Sequence, residues 1–355
     1  MTNNSLTLFH LSLIPGVSPA AVYVVYQHAQ NAWYSDLQEI YKLSVAQLQK
    51  IGLVEKVARA VHTGLRDITA LEREIGLLEK HDISIITIDD EIYPALLSTI
   101  HVPPAVLYIK GVLPSQPYVA FVGSRQANMY GQRAIDKLIP DMVAAGITII
   151  SGGAQGIDTM VHQAALDHGG RTIAVVGTGL FTTYPATNKR LFENIVERGG
   201  AIISPFVLDA GAEPWRFPVR NRIIAGMSQA TVVVQAAQKS GALITAAYAL
   251  QEGRVVGAVP GPIDDSISAG CHELLKQGAS LIQSSEDILQ ECGLLAQSVD
   301  LQKDLMQLRV IKETQNKNQS GIASTLNTQV KDSFVEDTIE DENRSSHEES
   351  HKILL

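Results

Sequence analysis

The chain has 355 residues, of which 45% are hydrophobic and 18% charged, and a formal net charge of −9. This composition is typical of a globular protein with two or three domains, and no apolar run approaches the roughly 20 residues of a membrane span. The N-terminus lacks a basic stretch followed by an apolar core, and two cysteines are too few for a disulfide framework or a zinc cluster. We therefore expect a cytoplasmic protein with reduced thiols, no metal site and no membrane association.

The net negative charge is not evenly distributed along the chain. Residues 115–225 carry 10 basic and 8 acidic side chains, whereas residues 1–114, 226–300 and 301–355 are each net negative. A local basic patch matters more for phosphate binding than the charge of the whole chain. An anion-binding site is therefore expected within 115–225.

The first 75 residues predict a small helical domain. Leucines at 6, 8, 11 and 13 precede the breaker sequence Pro-Gly-Val-Ser-Pro at 15–19, and helical patterns follow over 20–29, 37–48 and 54–61. The turn between the first two helices is similar to a helix-hairpin-helix DNA module, with serine at 18 where that motif usually has a second glycine. A structural helical cap and a DNA-contacting hairpin both fit this segment.

From residue 83 the pattern predicts an α/β domain that extends to about 290. Two β-branched or apolar runs, at 83–88 and 106–109, precede a repeated alternation of strands and helices. The further strands are predicted at 118–122, 147–150, 172–176, 201–204, 231–235 and 255–259. The helices between them are predicted at 131–144, 158–168, 188–198, 219–225 and 242–251. Apolar strands that alternate with helices indicate a doubly wound, Rossmann-like, mostly parallel sheet, with its ligand crevice at the carboxyl ends of the strands.

The composition changes near residue 297. Within the segment 298–355, residues 316–350 are rich in Asn, Gln, Ser, Asp and Glu and have few large apolar side chains. Such a sequence buries too little surface to offset its ordering entropy. We expect a largely disordered tail with no clear winged helix.

Two loops after predicted strands have the composition of an anion site. The first strand runs into Gly123, Ser124 and Arg125, where glycine permits close approach and arginine presents a planar fork for phosphate. The second loop contains Gly152, Gly153 and Gly156 before a helix, whose free N–H groups form an anion site. A solvent-facing arginine at 125 is an equally simple interpretation.

Two polar residues beyond the second loop are interpreted structurally. Asp158 is predicted to cap the helix that follows the glycines, with its carboxylate on free N–H groups. His162, one turn later, is predicted to be a packed, hydrogen-bonded histidine rather than a catalytic base.

The third loop, Gly-Thr-Gly at 177–179, does not complete a dinucleotide fingerprint, because Thr182 stands where the third glycine is required. The sequence also contains no G-x-x-x-x-G-K-[ST] string. We therefore expect no nucleotide cofactor.

The segment 215–222, Trp-Arg-Phe-Pro-Val-Arg-Asn-Arg, is the most informative. Three arginines interleaved with two aromatic residues suit a strand of phosphates with bases nearby. Proline at 218 suits a helix start, which would place Arg220, Asn221 and Arg222 near the first turn. With few aromatic residues in the chain, stacking is expected to contribute little beyond Trp215 or Phe217.

Further candidates follow in two later helices. Ser240 and Gly241 open one predicted helix with small polar groups, and Lys276 is placed on a short helix from which it reaches a phosphate. We predict that Arg125, Arg220, Arg222 and Lys276 line one groove.

Several strings, in order, resemble the DNA processing protein A (DprA/Smf) family. They are FVGSR (121–125), SGGAQGIDTMVHQAAL (151–166), GTGLFTTYPATN (177–188), FPVRNRIIAGMS (217–228), SGALITAAYAL (240–250) and VPGPI…GCHELLKQGA (259–279). The resemblance covers about 83–285, and the first 75 residues also fit the SAM-like or helix-hairpin-helix module of that family. Gln235 departs from the glutamate that the family often has there.

The resemblance implies a non-catalytic protein of natural transformation. Such a protein binds and protects incoming single-stranded DNA, helps to load the recombinase RecA and forms homodimers. The phosphate pocket of the family corresponds to Gly123, Ser124, Arg125, the 152–156 loop, Arg220, Asn221, Arg222 and Lys276.

Two other classes of function are alternatives to DNA binding. The LOG and lysine-decarboxylase-like nucleotide phosphoribohydrolases share this kind of sheet and loop, but they use a glutamate at a helix start where 240–248 reads SGALITAAY and holds no acid. A sensor of small nucleotides or phosphate is the third class. Dependence of binding on oligonucleotide length would distinguish it from a DNA-binding protein.

Overall fold

The computed structural model describes residues 2–32 and 36–294, all of which belong to one compact unit, Met1–Ser298. The predicted tail over 298–355 lies outside the described residues. In the described part of the chain, no helix is both long enough and apolar enough to span a membrane.

In the described residues, nine strands form one sheet. They are β1 Ile83–Thr87, β2 Val106–Gly111, β3 Tyr118–Val122, β4 Thr148–Ser151, β5 Thr172–Val175, β6 Ala201–Ser204, β7 Ala230–Val233, β8 Val255–Ala258 and β9 Ser280–Leu281. Their order is β1-β2-β6-β5-β4-β3-β7-β8-β9. The pairings of β1 with β2 and of β2 with β6 are antiparallel, and all the others are parallel. The predicted Rossmann-like, mostly parallel sheet is confirmed.

Thirteen α-helices accompany the sheet in the described residues. They are α1 Asn3–Leu13, α2 Pro19–Ala32, α3 Val45–Lys50, α4 Glu55–Gly64, α5 Thr69–Lys80, α6 Ala95–Ser98, α7 Met129–Ala144, α8 Ile157–Asp167, α9 Lys189–Glu197, α10 Arg216–Met227, α11 Ala242–Gln251, α12 Ala269–Lys276 and α13 Ser285–Glu291. Short 3₁₀ turns lie at Leu37–Lys42, Ala186–Asn188 and Ser266–Ser268.

The apolar strands produce a core on each face of the sheet. Alternate residues of β3 separate accordingly: Ala120 and Val122 pack with α10 and α11, whereas Val119 and Phe121 pack with α7 and α8. All five residues of β3 are buried, because successive side chains of a strand point to opposite faces and both faces are covered.

The helices α1 to α5 share a third core with β1 and β2. Phe9 and Tyr108 meet edge to face, with ring centroids 5.9 Å apart, and Ile83 and Leu208 belong to the same cluster. The division into domains at 1–75 and 83–290 stays a prediction. The helix α5, which was not predicted from the sequence, continues through the first of these boundaries to Lys80.

Several predicted helix boundaries differ from the structure, and two of these differences have a structural consequence. The single helix expected over 37–48 is a 3₁₀ turn followed by α3, because Ser44 and Gln47 form a capping box that starts a new helix. The helix expected to begin at Pro218 begins at Arg216. Arg220 and Arg222 therefore lie in the second turn of α10, beyond the free N–H groups of its first turn.

Candidate functional site

A cavity near the carboxyl ends of the strands lies where the strand order reverses. Its volume is about 550 Å³, and it opens between the loops that follow β3 and β7, with the start of α8 and one side of α10 as its other walls. We call it the switch-point pocket. In doubly wound sheets, ligands bind at this position because two loops leave adjacent strands in opposite directions.

The loop after β3 is tied to the loop after β7. The N–H of Ser124 donates to the carbonyl oxygen of Gln235 at 2.7 Å, and a Cβ on Gly123 would lie 2.9 Å from that same oxygen. Only glycine therefore allows this approach. Arg125 is exposed, and its guanidinium lies 5.8 Å above the ring centroid of Phe217.

The three glycines after β4 make room for neighbours instead of lining the pocket themselves. A Cβ on Gly152 would overlap the Arg220 guanidinium, one on Gly153 would lie 2.7 Å from the Phe192 ring, and one on Gly156 would overlap the backbone of Ser124. Gly153 and Gly156 also have positive φ angles, 67° and 78°. This loop contributes Ala154 to the pocket, and its glycines bring β4, α8 and α10 together.

Arg220 is buried at the base of the switch-point pocket. It is 4% exposed, and its Nη1 donates to the carbonyl oxygen of Val175 at 2.8 Å. Burial lowers the pKa of its guanidinium to about 10, opposed by the charge of Asp158, so the group stays cationic at neutral pH. Its Nε has no hydrogen-bond partner among the described residues.

Asp158 does not act as the predicted helix cap. The N-cap of α8 is Gly156, which makes no side-chain bond, and Asp158 Oδ2 instead accepts from the N–H of Ala154, in the preceding loop, at 3.2 Å. The carboxylate is 7% exposed and lines the pocket. Burial raises its pKa, and the charge of Arg220 opposes that shift.

His162 is buried and hydrogen-bonded, away from the pocket lining. Its Nδ1 lies 2.7 Å from Thr172 Oγ1, and burial lowers its pKa to about 3. The ring is therefore neutral at physiological pH. A neutral, packed ring agrees with the structural interpretation of this residue.

The start of α11 forms the opposite wall. Ser240 and Gly241 line the pocket, and Ser240 Oγ accepts from the N–H of Ala242 at 3.3 Å. A Cβ on Gly241 would meet no atom within 4 Å, so this glycine leaves open space. Lys239, which is exposed and precedes these residues, also lines the pocket.

The other predicted residues divide into two groups. Asn221 lines the switch-point pocket beside Arg220. Arg222 is not among the lining residues, and its guanidinium lies 5.2 Å from the ring centroid of Tyr248, on α11. Lys276 is the exposed last residue of α12 and is also absent from the lining. The structure thus does not place Arg125, Arg220, Arg222 and Lys276 in one groove.

The direction of α12 explains why Lys276 does not line the pocket. The first turn of α12 is held near the end of β7 by the bond from the N–H of Gly270 to the carbonyl oxygen of Ala236, 2.7 Å long. The chain then enters β9, which runs parallel to β8. A helix between two parallel strands runs back toward their amino ends, so Lys276 lies away from the pocket.

The pocket has a cationic lining. Arg125, Arg220 and Lys239 contribute three positive charges, and Asp158 is the one carboxylate among the described lining residues. Sequence reasoning missed Lys239 and the place of Asp158 in this wall. Lys239 could have been predicted as a pocket residue, because it comes one residue before Ser240, at the start of a predicted helix.

Comparisons with known proteins show the family of this chain. A family model described as DNA recombination-mediator protein A matches residues 84–293. Protein Smf of Escherichia coli is 40% identical over 245 residues, which cover 68% of this chain and 65% of that protein, slightly less than two thirds of its length.

Two solved structures are similar to this one. DNA processing protein A of Streptococcus pneumoniae superposes with a TM-score of 0.68 at 33% identity and covers 82% of this chain and 99% of that one. DNA processing protein A of Helicobacter pylori, whose structure describes a single-stranded DNA binding mode, has a TM-score of 0.53 at 27% identity and covers 59% of this chain and 94% of that one.

Proposed function

The chain belongs to the DNA recombination-mediator protein A family, and on that premise we propose that it binds single-stranded DNA through the switch-point pocket. The observation that carries this proposal is the cationic lining formed by Arg125, Arg220 and Lys239 at the carboxyl ends of β3 and β7. Such a site neutralises phosphates and releases their counterions. The similar H. pylori protein is described as binding single-stranded DNA.

Within the pocket, the residues divide by role. Arg125 and Lys239, both exposed, contact phosphate oxygens directly. Arg220, which is buried at the base of the pocket, contributes positive charge that attracts the phosphates. Ser124, Asn221, Ser240 and Gly241 offer hydroxyl, amide and backbone groups along the walls. Backbone contacts carry no base code, so sequence preference is weak.

We also propose that the protein acts without catalysis. Asp158 is the one carboxylate among the described lining residues, and it is engaged by the Ala154 N–H and lies next to the guanidinium of Arg220 across Gly152. General acid–base work needs a group free to exchange a proton with the substrate. The rival phosphoribohydrolase function lacks its glutamate at 240–248. Incubation with nucleoside monophosphates, followed by chromatography, should release no free base.

The biological role that we propose is protection of incoming single-stranded DNA in natural transformation and loading of RecA onto it, in the cytoplasm. The family description as a recombination mediator supports this role. Strand exchange by RecA on DNA coated with single-strand binding protein should accelerate when this protein is added. An unchanged rate would leave a DNA-binding protein without mediator activity.

We propose that the active form is a homodimer. The groove between α11 and α12 has a volume of about 410 Å³ and is lined in part by Leu243, Leu274 and Leu250, which is 72% exposed. The adjacent edge strand, β9, pairs only with β8 among the described strands. Exposed apolar surface of this kind marks association sites, and sedimentation equilibrium should give twice the mass of one chain. The substitution Leu250→Glu should shift that mass toward the monomer.

The first experiment is a fluorescence-anisotropy titration with labelled oligonucleotides of two lengths, at two salt concentrations and with duplex competitor. Binding should strengthen with length, weaken with salt by a log–log slope of about −0.7 per phosphate neutralised, and resist duplex competitor. Equal binding of a mononucleotide and an oligonucleotide would instead support a small-molecule sensor. No binding at low salt would contradict the proposal.

A further inference from the structure

A second cavity adjoins the switch-point pocket and shares a wall with it. Its volume is about 410 Å³, and it is lined by Arg125, Ala154, Gln155 and the segment 183–187. Arg125 and Ala154 also line the switch-point pocket. A polymer held by Arg125 therefore has space on both sides of that guanidinium.

An aromatic pair connects the two cavities. Phe217 lines the switch-point pocket and Tyr184 lines the second cavity, with ring centroids 5.6 Å apart and ring planes at 53°. Arg125 lies above Phe217. Tyr184 is 44% exposed, so part of its ring is available to a ligand. An aromatic face beside a phosphate-binding arginine is the combination that single-strand binding sites use.

The segment that carries Tyr184 is held in place from below. Asn188, 5% exposed, donates from Nδ2 to the carbonyl oxygen of Gly153 at 2.9 Å and to Thr159 Oγ1 at 2.8 Å. These bonds attach the end of the 183–187 segment to the glycine loop after β4 and to α8. Binding on a pre-positioned ring costs little ordering entropy.

The lining of the second cavity is suited to a nucleotide. Arg125 is its one charged residue among those described, and Gln155, Thr183 and Thr187 provide amide and hydroxyl groups at its walls. No carboxylate is present among the described lining residues, so none of them repels a phosphate. The amide and hydroxyl groups can form hydrogen bonds with the edge of a base.

We propose that this cavity is a second nucleotide subsite, in which a base of the single strand stacks on Tyr184 while Arg125 holds the phosphate between the two subsites. This inference rests on the proposed function and adds to it the path of the strand past Arg125 and a source of single-strand selectivity. A base in a duplex is already stacked and paired, and it must leave its neighbours to reach the ring. Phosphate contacts alone make no such distinction.

The test compares Tyr184→Ala, Tyr184→Leu and Tyr184→Phe with the wild type. Phe181→Ala is the matched control, because Phe181 is 42% exposed and contacts His81, outside both cavities. The probes are an oligothymidylate and an abasic strand with the same number of phosphates. Thermal unfolding of each variant shows that it is folded, and Tyr184→Leu keeps apolar bulk against Phe217 if the alanine variant is destabilised.

The alanine and leucine variants should bind oligothymidylate about tenfold more weakly than the wild type, since stacking on one ring typically contributes this much. The salt slope should not change, because no phosphate contact is lost. The abasic strand should bind all variants alike, and Tyr184→Phe and Phe181→Ala should match the wild type.

Two failures are distinguishable. If the wild type binds oligothymidylate and Tyr184→Ala and Tyr184→Leu bind it equally well, the second subsite is disproved and the switch-point pocket stands. If the wild type binds neither strand, the proposed function itself fails.

Discussion

Arg220 Nη1 donates a hydrogen bond to the carbonyl oxygen of Val175 at 2.8 Å, which joins α10 to the end of β5 beneath the pocket. The same guanidinium occupies the space that a side chain on Gly152 would need, and a carboxylate oxygen of Asp158 would lie 2.7 Å from that added carbon. One arginine thus connects two strands and a helix while it contributes charge to the pocket. Its loss is expected to affect stability as well as binding.

The substitution Arg220→Ala should lower the free energy of unfolding by about 3 kcal/mol, because it leaves the Asp158 carboxylate buried without its cationic neighbour. Urea denaturation measures this change. Lys239→Ala is the control, since Lys239 is an exposed cation of the same pocket and its removal should change stability by less than about 0.5 kcal/mol. Equal stability of the two variants would show that Arg220 has no structural role.

The substitution Gly152→Ala should be destabilising by about 2 kcal/mol or more, since the added carbon overlaps a buried guanidinium in a packed site. Gly241→Ala should be neutral to within about 0.5 kcal/mol, because an added carbon there meets nothing within 4 Å. Both unfolding midpoints come from one urea series. A tolerated Gly152→Ala would require Arg220 to take a different position.

Arg125→Ala should weaken binding to single-stranded DNA and flatten the log–log salt dependence by about 0.7, the contribution of one phosphate contact. Lys276→Ala is the informative comparison. Its position at the end of α12, outside the pocket lining, predicts an unchanged slope in anisotropy titrations. A slope that flattens equally in both variants would show that the strand extends to α12, as the sequence-based assignment of Lys276 requires.

Acid should destabilise the fold through His162. Burial holds its pKa at about 3, below the value of about 6.5 in an unfolded chain, so the unfolded state binds more protons. The stability contributed by the neutral ring is complete above pH 6.5 and is lost as the pH falls toward 3. The loss in the free energy of unfolding between neutral pH and pH 5 is about 2 kcal/mol.

Chemical denaturation at pH 7 and pH 5 measures that loss, with His162→Asn as the reference. Asparagine retains a polar group near Thr172 Oγ1 and does not titrate, so the variant should lose less stability between the two pH values than the wild type. Asp158, whose pKa is raised, acts in the opposite direction in both proteins and cancels in the difference. Parallel pH profiles would contradict the assignment to His162.

Sequence reasoning identified the fold class and most elements of the sheet because buried parallel strands are nearly continuous apolar runs. It also predicted Gly123, Ser124 and Arg125, which line the pocket, since glycine and arginine at the end of a strand have a local chemical meaning. The boundaries of the helices were harder to predict from the sequence. The capping box of Ser44 and Gln47 divides a segment whose apolar periodicity is continuous.

The composition of the pocket was decided by tertiary structure. Arg220 and Arg222 are two positions apart on α10, and a helix turns by about 200° between such positions. One guanidinium therefore enters the core beneath the pocket and the other lies over Tyr248. The sequence by itself determined that a Rossmann-like sheet would present arginines and glycine loops at one edge. Only the packing of α10, α11 and α12 against that sheet decided which of those side chains meet, because a helix's direction and rotation are set by the partners across its buried face.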